Sequence, residues 1–359
     1  MIRVLVVDDS ALVRKLLARV FAAEPDFEVQ VARDGLEALE QLTAFEPHVI
    51  TLDVHMPHMD GLACLDRIMV QRPCPVVMVS SLTAEGADAT LEALRLGAVD
   101  FAAKPGGAVS LKMDAFGDEL VQKVRSAAGA KLRLATRLRE RVRHRIAAAP
   151  QTESVSAAPL PRRPPEASMG QGLVVVGTST GGPPALEALL TPLPADFPWP
   201  IVIAQHMPRS FTGALAKRLD RLCAIEVAEV TGPTPLKPGC AYIGRGEADV
   251  VISRRAGALI AMSAPGYVGY PWRPSTDRLV RSAMEQLPPG DLVGILMTGM
   301  GDDGAAAMTV LNAQGGRTIA EAEETAVVWG MPGELVKANG ASAVLPVHKI
   351  AERLQTMVG

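Results

Sequence analysis

The chain has 359 residues, more than one ordinary core holds, and is read as two domains. It is 48% hydrophobic and 21% charged with a formal net charge of −3, a balance that gives no global basis for binding nucleic acid. Its four cysteines, Cys64, Cys74, Cys223 and Cys240, form no CxxC pair and meet no histidine at zinc-ligand spacing, which excludes a zinc finger and fits reduced thiols in a cytoplasmic protein.

The chain opens with MIRVLVVDDS. A short apolar run that ends in two carboxylates reads as a buried strand rather than a signal peptide. No stretch approaches the ~18 apolar residues of a membrane helix, so no direct membrane insertion is expected. Up to about residue 128, strands near 2–7, 28–32, 48–52, 75–80 and 98–102 alternate with amphipathic helices near 11–23, 35–45, 61–71, 84–96 and 113–128. Five βα units of this length imply an open, parallel, doubly wound five-stranded sheet with right-handed crossovers. Functional groups are then expected at the carboxyl ends of the strands.

Those ends carry a distinct set. Asp8 and Asp9 close the first strand, Asp53 the third and Ser80 the fourth, and Lys104 follows the fifth. Taken singly, Asp9 or Ser10 could merely cap a helix and Lys104-Pro105 close a loop. Together they form an oxygen-rich site in which three carboxylates need a cation, and which suits Mg²⁺. Asp53 is the candidate nucleophile for a phosphoryl group, with Lys104 and Ser80 placed to contact its oxygens. VVDDS, DVHMPHMDG, VMVSSLT and DFAAKP resemble the response-regulator receiver family over roughly residues 1–125. The resemblance implies that Asp53 takes phosphate from a histidine kinase, that Asp8, Asp9, Asp53 and the carbonyl of His55 hold Mg²⁺, and that Ser80 and Lys104 carry the phosphorylation-linked switch. His55 stands where similar proteins have an acidic or polar residue.

Residues 129–169 are expected to join the domains. Lys131 to Arg145 carries seven Lys/Arg against Glu140 alone, with Ala135, Leu138, Val142 and Ile146 at helical spacing, and reads as a basic, solvated amphipathic helix. The following AAAPQTESVSAAPLPRRPPEAS reads as a flexible, partly extended linker.

Periodicity resumes at Leu173 and marks a second α/β domain over 170–359. Strands are expected near 173–177, 200–204, 225–229, 240–243, 249–253, 258–262, 292–298, 317–320 and 342–345. Helices are expected near 183–190, 210–222, 275–287, 304–314 and 347–357. The turn-rich stretch 225–262 reads as a small antiparallel excursion from a doubly wound sheet.

Gly177-Thr178-Ser179-Thr180-Gly181 fits G-x-S-x-G between a strand and a helix, the context that pattern requires. It would present Ser179 at a helix N-terminus, where amides favour developing negative charge. Two histidines lie beyond the linker. His206 follows an apolar strand and would stand on the same edge as Ser179, as a general base should; His348 begins the last helix and is expected at the surface. An aspartate in Thr298-Gly299-Met300-Gly301-Asp302-Asp303-Gly304 could orient the imidazole. The same run satisfies G-x-G-x-x-G with Glu321 about 20 residues on, but two carboxylates in the loop would repel a pyrophosphate, and the motif comes late in its domain.

GTSTGG, AQHMP, TGMGDDGA and WGMPGE together resemble the catalytic domain of the chemotaxis-specific protein-glutamate methylesterases over about residues 170–357. The resemblance implies Ser179 as nucleophile, His206 as base, Asp303 as its orienting carboxylate, and Thr180 with the Met300 backbone as holders of the oxyanion. It also implies a chemoreceptor as substrate, possible deamidation of its glutamines, a chemotaxis histidine kinase as phosphodonor, and an esterase step without cofactor.

Overall fold

A computed structural model describes residues 1–81, 83–104, 113–130 and 172–358; the basic helix and linker expected between the domains lie outside them. The chain divides into two compact units, Met1–Ala157 and Ala158–Gly359.

In the first unit, strands β1 (Ile2–Val7), β2 (Phe27–Ala32), β3 (Val49–Asp53), β4 (Val76–Ser80) and β5 (Asp100–Ala103) alternate with helices α1 (Ala11–Ala22), α2 (Gly35–Ala44), α3 (Gly61–Gln71), α4 (Ala84–Leu96) and α5 (Met113–Ala128). All pairings are parallel, in the order β2-β1-β3-β4-β5, as the alternating pattern predicts. β3 and β4 are buried along their whole length, which explains their unbroken apolar runs. Ser10, Asp34, Asp60 and Thr83 accept backbone N–H bonds at the starts of α1 to α4, so a polar cap stops each strand-to-helix loop.

The second unit is built on a seven-stranded parallel sheet. Its strands are β6 (Leu173–Thr178), β7 (Ile201–Gln205), β8 (Glu226–Val230), β10 (Cys240–Gly244), β13 (Leu292–Leu296), β14 (Arg317–Glu321) and β15 (Ala343–Leu345). They are ordered β15-β14-β13-β6-β7-β10-β8. Helices α6 (Gly182–Leu190), α7 (Arg209–Leu222), α8 (Thr276–Met284), α9 (Ala305–Ala313), α10 (Met331–Lys337) and α11 (Val347–Val358) complete it. Leu173, Val175, Val202, Leu296, Met308 and Leu311 belong to one buried core between sheet and helices.

A separate antiparallel sheet, β11-β12-β9, uses β11 (Asp249–Arg255), β12 (Ala258–Ala264) and the short β9 (Thr234–Pro235). The antiparallel excursion is therefore narrower than 225–262. β8 and β10 pair in parallel inside the main sheet, and β10, flanked by β7 and β8, is buried throughout. Two elements escape the periodicity, since two residues of β9 and seven of α10 are too short to establish one.

Chain order reverses at β6, which has β7 on one side and β13 on the other. Such a switch point opens a crevice at the carboxyl ends of the strands.

Candidate functional sites

At the carboxyl edge of the first sheet, the ligand oxygens of Asp8, Asp9 and Asp53 lie within 4.8 Å of one another. Lys104 inserts its ammonium between two of them, 2.8 Å from Asp8 Oδ2 and 2.7 Å from Asp53 Oδ2. Burial pushes the Asp53 carboxyl up, against the opposing pull of the Lys104 ammonium. Burial also opposes the charge on Lys104, but its bonds to Asp53 and Asp8 win and hold it above the usual lysine value. A cluster of hard oxygens around a point where a cation already sits fits Mg²⁺. Gly61 permits the close turn beneath it, because a Cβ there would stand 2.1 Å from the Asp53 carbonyl oxygen. His55 is exposed on the loop after Asp53. Ser80 is fully buried, and its hydroxyl faces the carbonyls of Gly86 and Ser81 at 3.3 and 3.4 Å, toward α4.

In the second unit, Ser179 follows β6 and His206 follows β7, one position past the paired residues Thr178 and Gln205. The ladder continues into the loops: the His206 amide donates to Thr178 O at 3.0 Å, and Gln205 Nε2 donates to the carbonyls of Ser179 and His206, both at 3.0 Å. The turn after Ser179 requires Gly181, whose φ is +76°. Asp303 reaches the same rim from the loop after β13, and its Oδ2 lies 2.8 Å from His206 Nε2.

Asp303 is buried, and four donors meet it. The Ser275 hydroxyl and Asp277 amide donate to Oδ1 at 2.9 and 3.0 Å, and the Thr276 amide joins His206 at Oδ2, at 2.6 Å. Burial pushes its carboxyl up, but the His206 bond and charge and the Asp277 and Thr276 amides outweigh it and hold the carboxyl below the usual carboxylate value. With Nε2 committed to Asp303, the other ring nitrogen, Nδ1, is the one available for proton transfer. It is buried and has no hydrogen-bond partner among the described residues. No hydrogen bond joins it to Ser179 Oγ, a looseness common in unliganded nucleophile–base pairs.

Thr298 locks the turn that carries the serine. Its carbonyl accepts the Ser179 amide at 3.0 Å, its hydroxyl donates to Thr180 O at 2.8 Å, and its own amide donates to Glu321 Oε2 at 2.8 Å. The Ser179 amide is thus engaged and unavailable to an oxyanion. Thr180 is buried beside it, and Met300, half-buried, follows Gly299 across the crevice. Burial pushes the Glu321 carboxyl up. That residue serves the loop backbone from inside, not a ribose, and Asp302 is exposed, which leaves the dinucleotide pattern without its acidic partner. His348 is exposed, as expected.

Several site residues escape sequence reasoning. Ser275 carried a usable signal, since it caps α8, accepting the Arg278 amide at 3.3 Å, before also holding Asp303. Thr298 and Gln205 act through contacts distant in sequence, which no local pattern announces.

A receiver-type sheet with an acidic pocket, followed by a doubly wound domain with hydroxyl, imidazole and carboxylate on one rim, is the plan of a response regulator with a hydrolytic output domain. The family models of a response regulator receiver domain and of a CheB methylesterase match residues 4–114 and 174–354. A protein-glutamate methylesterase/protein-glutamine glutaminase of Rhodopseudomonas palustris (strain BisB18) is 60% identical over 353 residues, covering 98% of this chain and 96% of its own. One from Rhodospirillum rubrum is 51% identical over 357 residues, covering 99% and 95%. The crystal structure of the Thermotoga maritima CheB methylesterase catalytic domain aligns with 36% identity and a TM-score of 0.50, covering 52% of this chain and 98% of that one. The chain belongs to the protein-glutamate methylesterase/protein-glutamine glutaminase family. Among its described residues no helix is long and apolar enough to cross a membrane.

Proposed function

We propose that this chain is a phosphorylation-controlled serine esterase that hydrolyses glutamate methyl esters on the cytoplasmic part of chemoreceptors. Residues 1–128 form the receiver, 129–169 the connection and 170–359 the catalytic domain. The observation that carries the chemistry is the 2.8 Å contact of His206 Nε2 with Asp303 Oδ2, on the rim where Ser179 emerges.

Ser179 Oγ attacks the ester carbonyl and passes its proton to His206 Nδ1, while Asp303 holds the ring and balances the imidazolium. The tetrahedral oxyanion is held by Thr180, just before α6, and by the Met300 backbone in the loop after β13. As the carbonyl re-forms, the proton moves from His206 to the departing methoxide and methanol leaves. Water, deprotonated by the same nitrogen, then cleaves the acyl-enzyme and restores the Ser179 hydroxyl. A glutamine side chain reacts by the same steps with ammonia as leaving group, which supports glutaminase activity as well.

In the receiver, Asp53 is the phosphoacceptor for a chemotaxis histidine kinase. Mg²⁺ held by Asp8, Asp9, Asp53 and the His55 carbonyl would offset phosphate charge there. Lys104 pairs with the phosphoryl oxygens, and Ser80 turns from the Gly86 carbonyl toward them, biasing the output domain by a coupling typically of ~1–3 kcal/mol.

The test is methanol release from methyl-labelled receptor membranes, with and without a small phosphodonor. Release should rise with the phosphodonor, lose that rise in Asp53→Asn, and vanish in Ser179→Ala. Substantial turnover in Ser179→Ala rejects the nucleophile, and equal rates with and without the donor reject the control.

A further inference from the structure

The indole of Trp272 lies parallel to the imidazole of His206, with ring centroids 5.4 Å apart and planes 7° from parallel. It is only half-buried, and it also lies beside Gly301, where an added Cβ would meet Trp272 Cζ2 at 3.1 Å. Trp272 therefore stands at the cleft, between the base and the Met300-Gly301 turn, and is not part of the apolar core.

The segment that presents it is pinned on both sides. Upstream, the Pro265 carbonyl accepts Arg278 Nη1 at 2.6 Å, and the Tyr267 amide donates to Asp249 Oδ2 at 3.3 Å. Downstream, the Ser275 amide donates to Asp249 Oδ1 at 2.9 Å, and Ser275 Oγ donates to Asp303. Trp272 is thus three residues from a group bonded to the very carboxylate that binds His206. Ring and carboxylate are set by one piece of backbone.

We propose that Trp272 is a positioning residue for the reaction, its indole fixing the plane of the His206 ring and favouring the imidazolium that forms as Ser179 attacks. The idea rests on the esterase reading above. Two constraints fix the imidazole: Asp303 grips one ring atom, and the stacked face stops rotation about that contact. The electron-rich face of an indole attracts a cation far more than a neutral ring. The interaction therefore strengthens as the Ser179 proton arrives at Nδ1, which lowers the barrier rather than only tightening substrate binding.

The experiment compares Trp272→Phe and Trp272→Leu in the full chain, on receptor membranes, with Ser179→Ala as blank. Trp272→Leu should lose about tenfold in kcat with little change in KM, while Trp272→Phe, which keeps an aromatic face, recovers most of it. An unchanged kcat in Trp272→Leu, a loss confined to KM, or equal losses in both variants overturns the proposal. Activity surviving in Ser179→Ala overturns the esterase reading instead. A second measurement needs no Trp272 variant: a stacked imidazole quenches indole emission, so His206→Leu should brighten the fluorescence of a chain with three tryptophans. Unchanged emission in a chain that melts normally overturns the stacking itself.

Discussion

Asp303 spends one carboxylate oxygen on both the imidazole of His206, at 2.8 Å, and the backbone amide of Thr276, at 2.6 Å. The amide fixes the oxygen, and the oxygen fixes the ring. Nε2 consequently carries the proton toward Asp303, and Nδ1 is the basic nitrogen.

That arrangement predicts the effect of Asp303→Asn. An amide at this position presents either an oxygen or an NH₂ to Nε2, and the charge that balances the imidazolium is gone. In serine hydrolases generally such a change costs about four orders of magnitude in kcat by selecting the wrong tautomer. Steady-state kinetics should show kcat falling by roughly that factor with KM little altered. A kcat within tenfold of the parent would remove Asp303 from the site.

The same carboxyl sets a pH dependence of stability. Its folded-state value lies below the usual 3.8, so its contribution is fully present above that value and fades as pH falls through the lower, folded one. Acid unfolding of the second domain should move to higher pH in Asp303→Asn, which lacks this contribution in the range where the parent still has it. Identical acid midpoints would show that the His206 and amide bonds do not stabilise the ionised form.

Glu321 has the opposite sign. Burial raises its carboxyl above the usual 4.5, so ionisation at neutral pH costs stability, and that cost is relieved as pH falls through the raised value. Glu321→Gln keeps an oxygen for the Thr298 amide and removes the charge. It should melt at or above the parent temperature at neutral pH, with the difference narrowing toward pH ~4.5. Glu321→Leu strands the Thr298 amide and should cost about 1–3 kcal/mol. Scanning fluorimetry across that range checks both; a Gln variant uniformly less stable would mean that the ionised carboxylate is required.

These residues show what the chain makes legible. The receiver elements follow from alternating apolar runs and helical periodicity, and Asp8, Asp53 and Lys104 were readable because strand ends on a parallel sheet share an edge. The rim positions of Ser179, of His206 and of the loop that carries Asp302 and Asp303 were readable for the same reason, whereas Asp303 was singled out from Asp302 only by the family resemblance. Asp303's partners were not, because Ser275 and Thr276 reach it across 28 and 27 residues of chain through a loop without a period. The parallel pairing of β8 and β10 was hidden by the turn-rich residues between them, whose glycines and prolines suit a hairpin as well as a crossover.

Gly299 offers a steric prediction. An added Cβ would stand 2.3 Å from Met331 Sδ and 2.8 Å from Ser179 Cβ. The sulfur ends a flexible side chain and can move, but Ser179 sits on a turn locked through Thr298. Gly299→Ala should cost about 1–3 kcal/mol, as overpacking does, and slow fluorophosphonate labelling of Ser179 more than it lowers the melting temperature would suggest. Normal labelling would mean the serine turn has slack that its hydrogen bonds do not reveal.

In the first domain, Lys104 bridges Asp8 and Asp53, both buried. Removing it in Lys104→Ala leaves two neighbouring carboxylates without their cation. Breaking a buried pair can cost about 3–5 kcal/mol, but this ammonium is 23% exposed, which points to roughly 3 kcal/mol or less. The three carboxylates remain, so Mg²⁺ should restore part of the lost stability, and should raise the melting temperature of Lys104→Ala more than that of the parent, where the ammonium competes for the same oxygens. Thermal unfolding with and without Mg²⁺ measures this, with Asp8→Asn as control for the loss of a ligand. An equal Mg²⁺ shift in Lys104→Ala and the parent would show that ion and ammonium do not share the site.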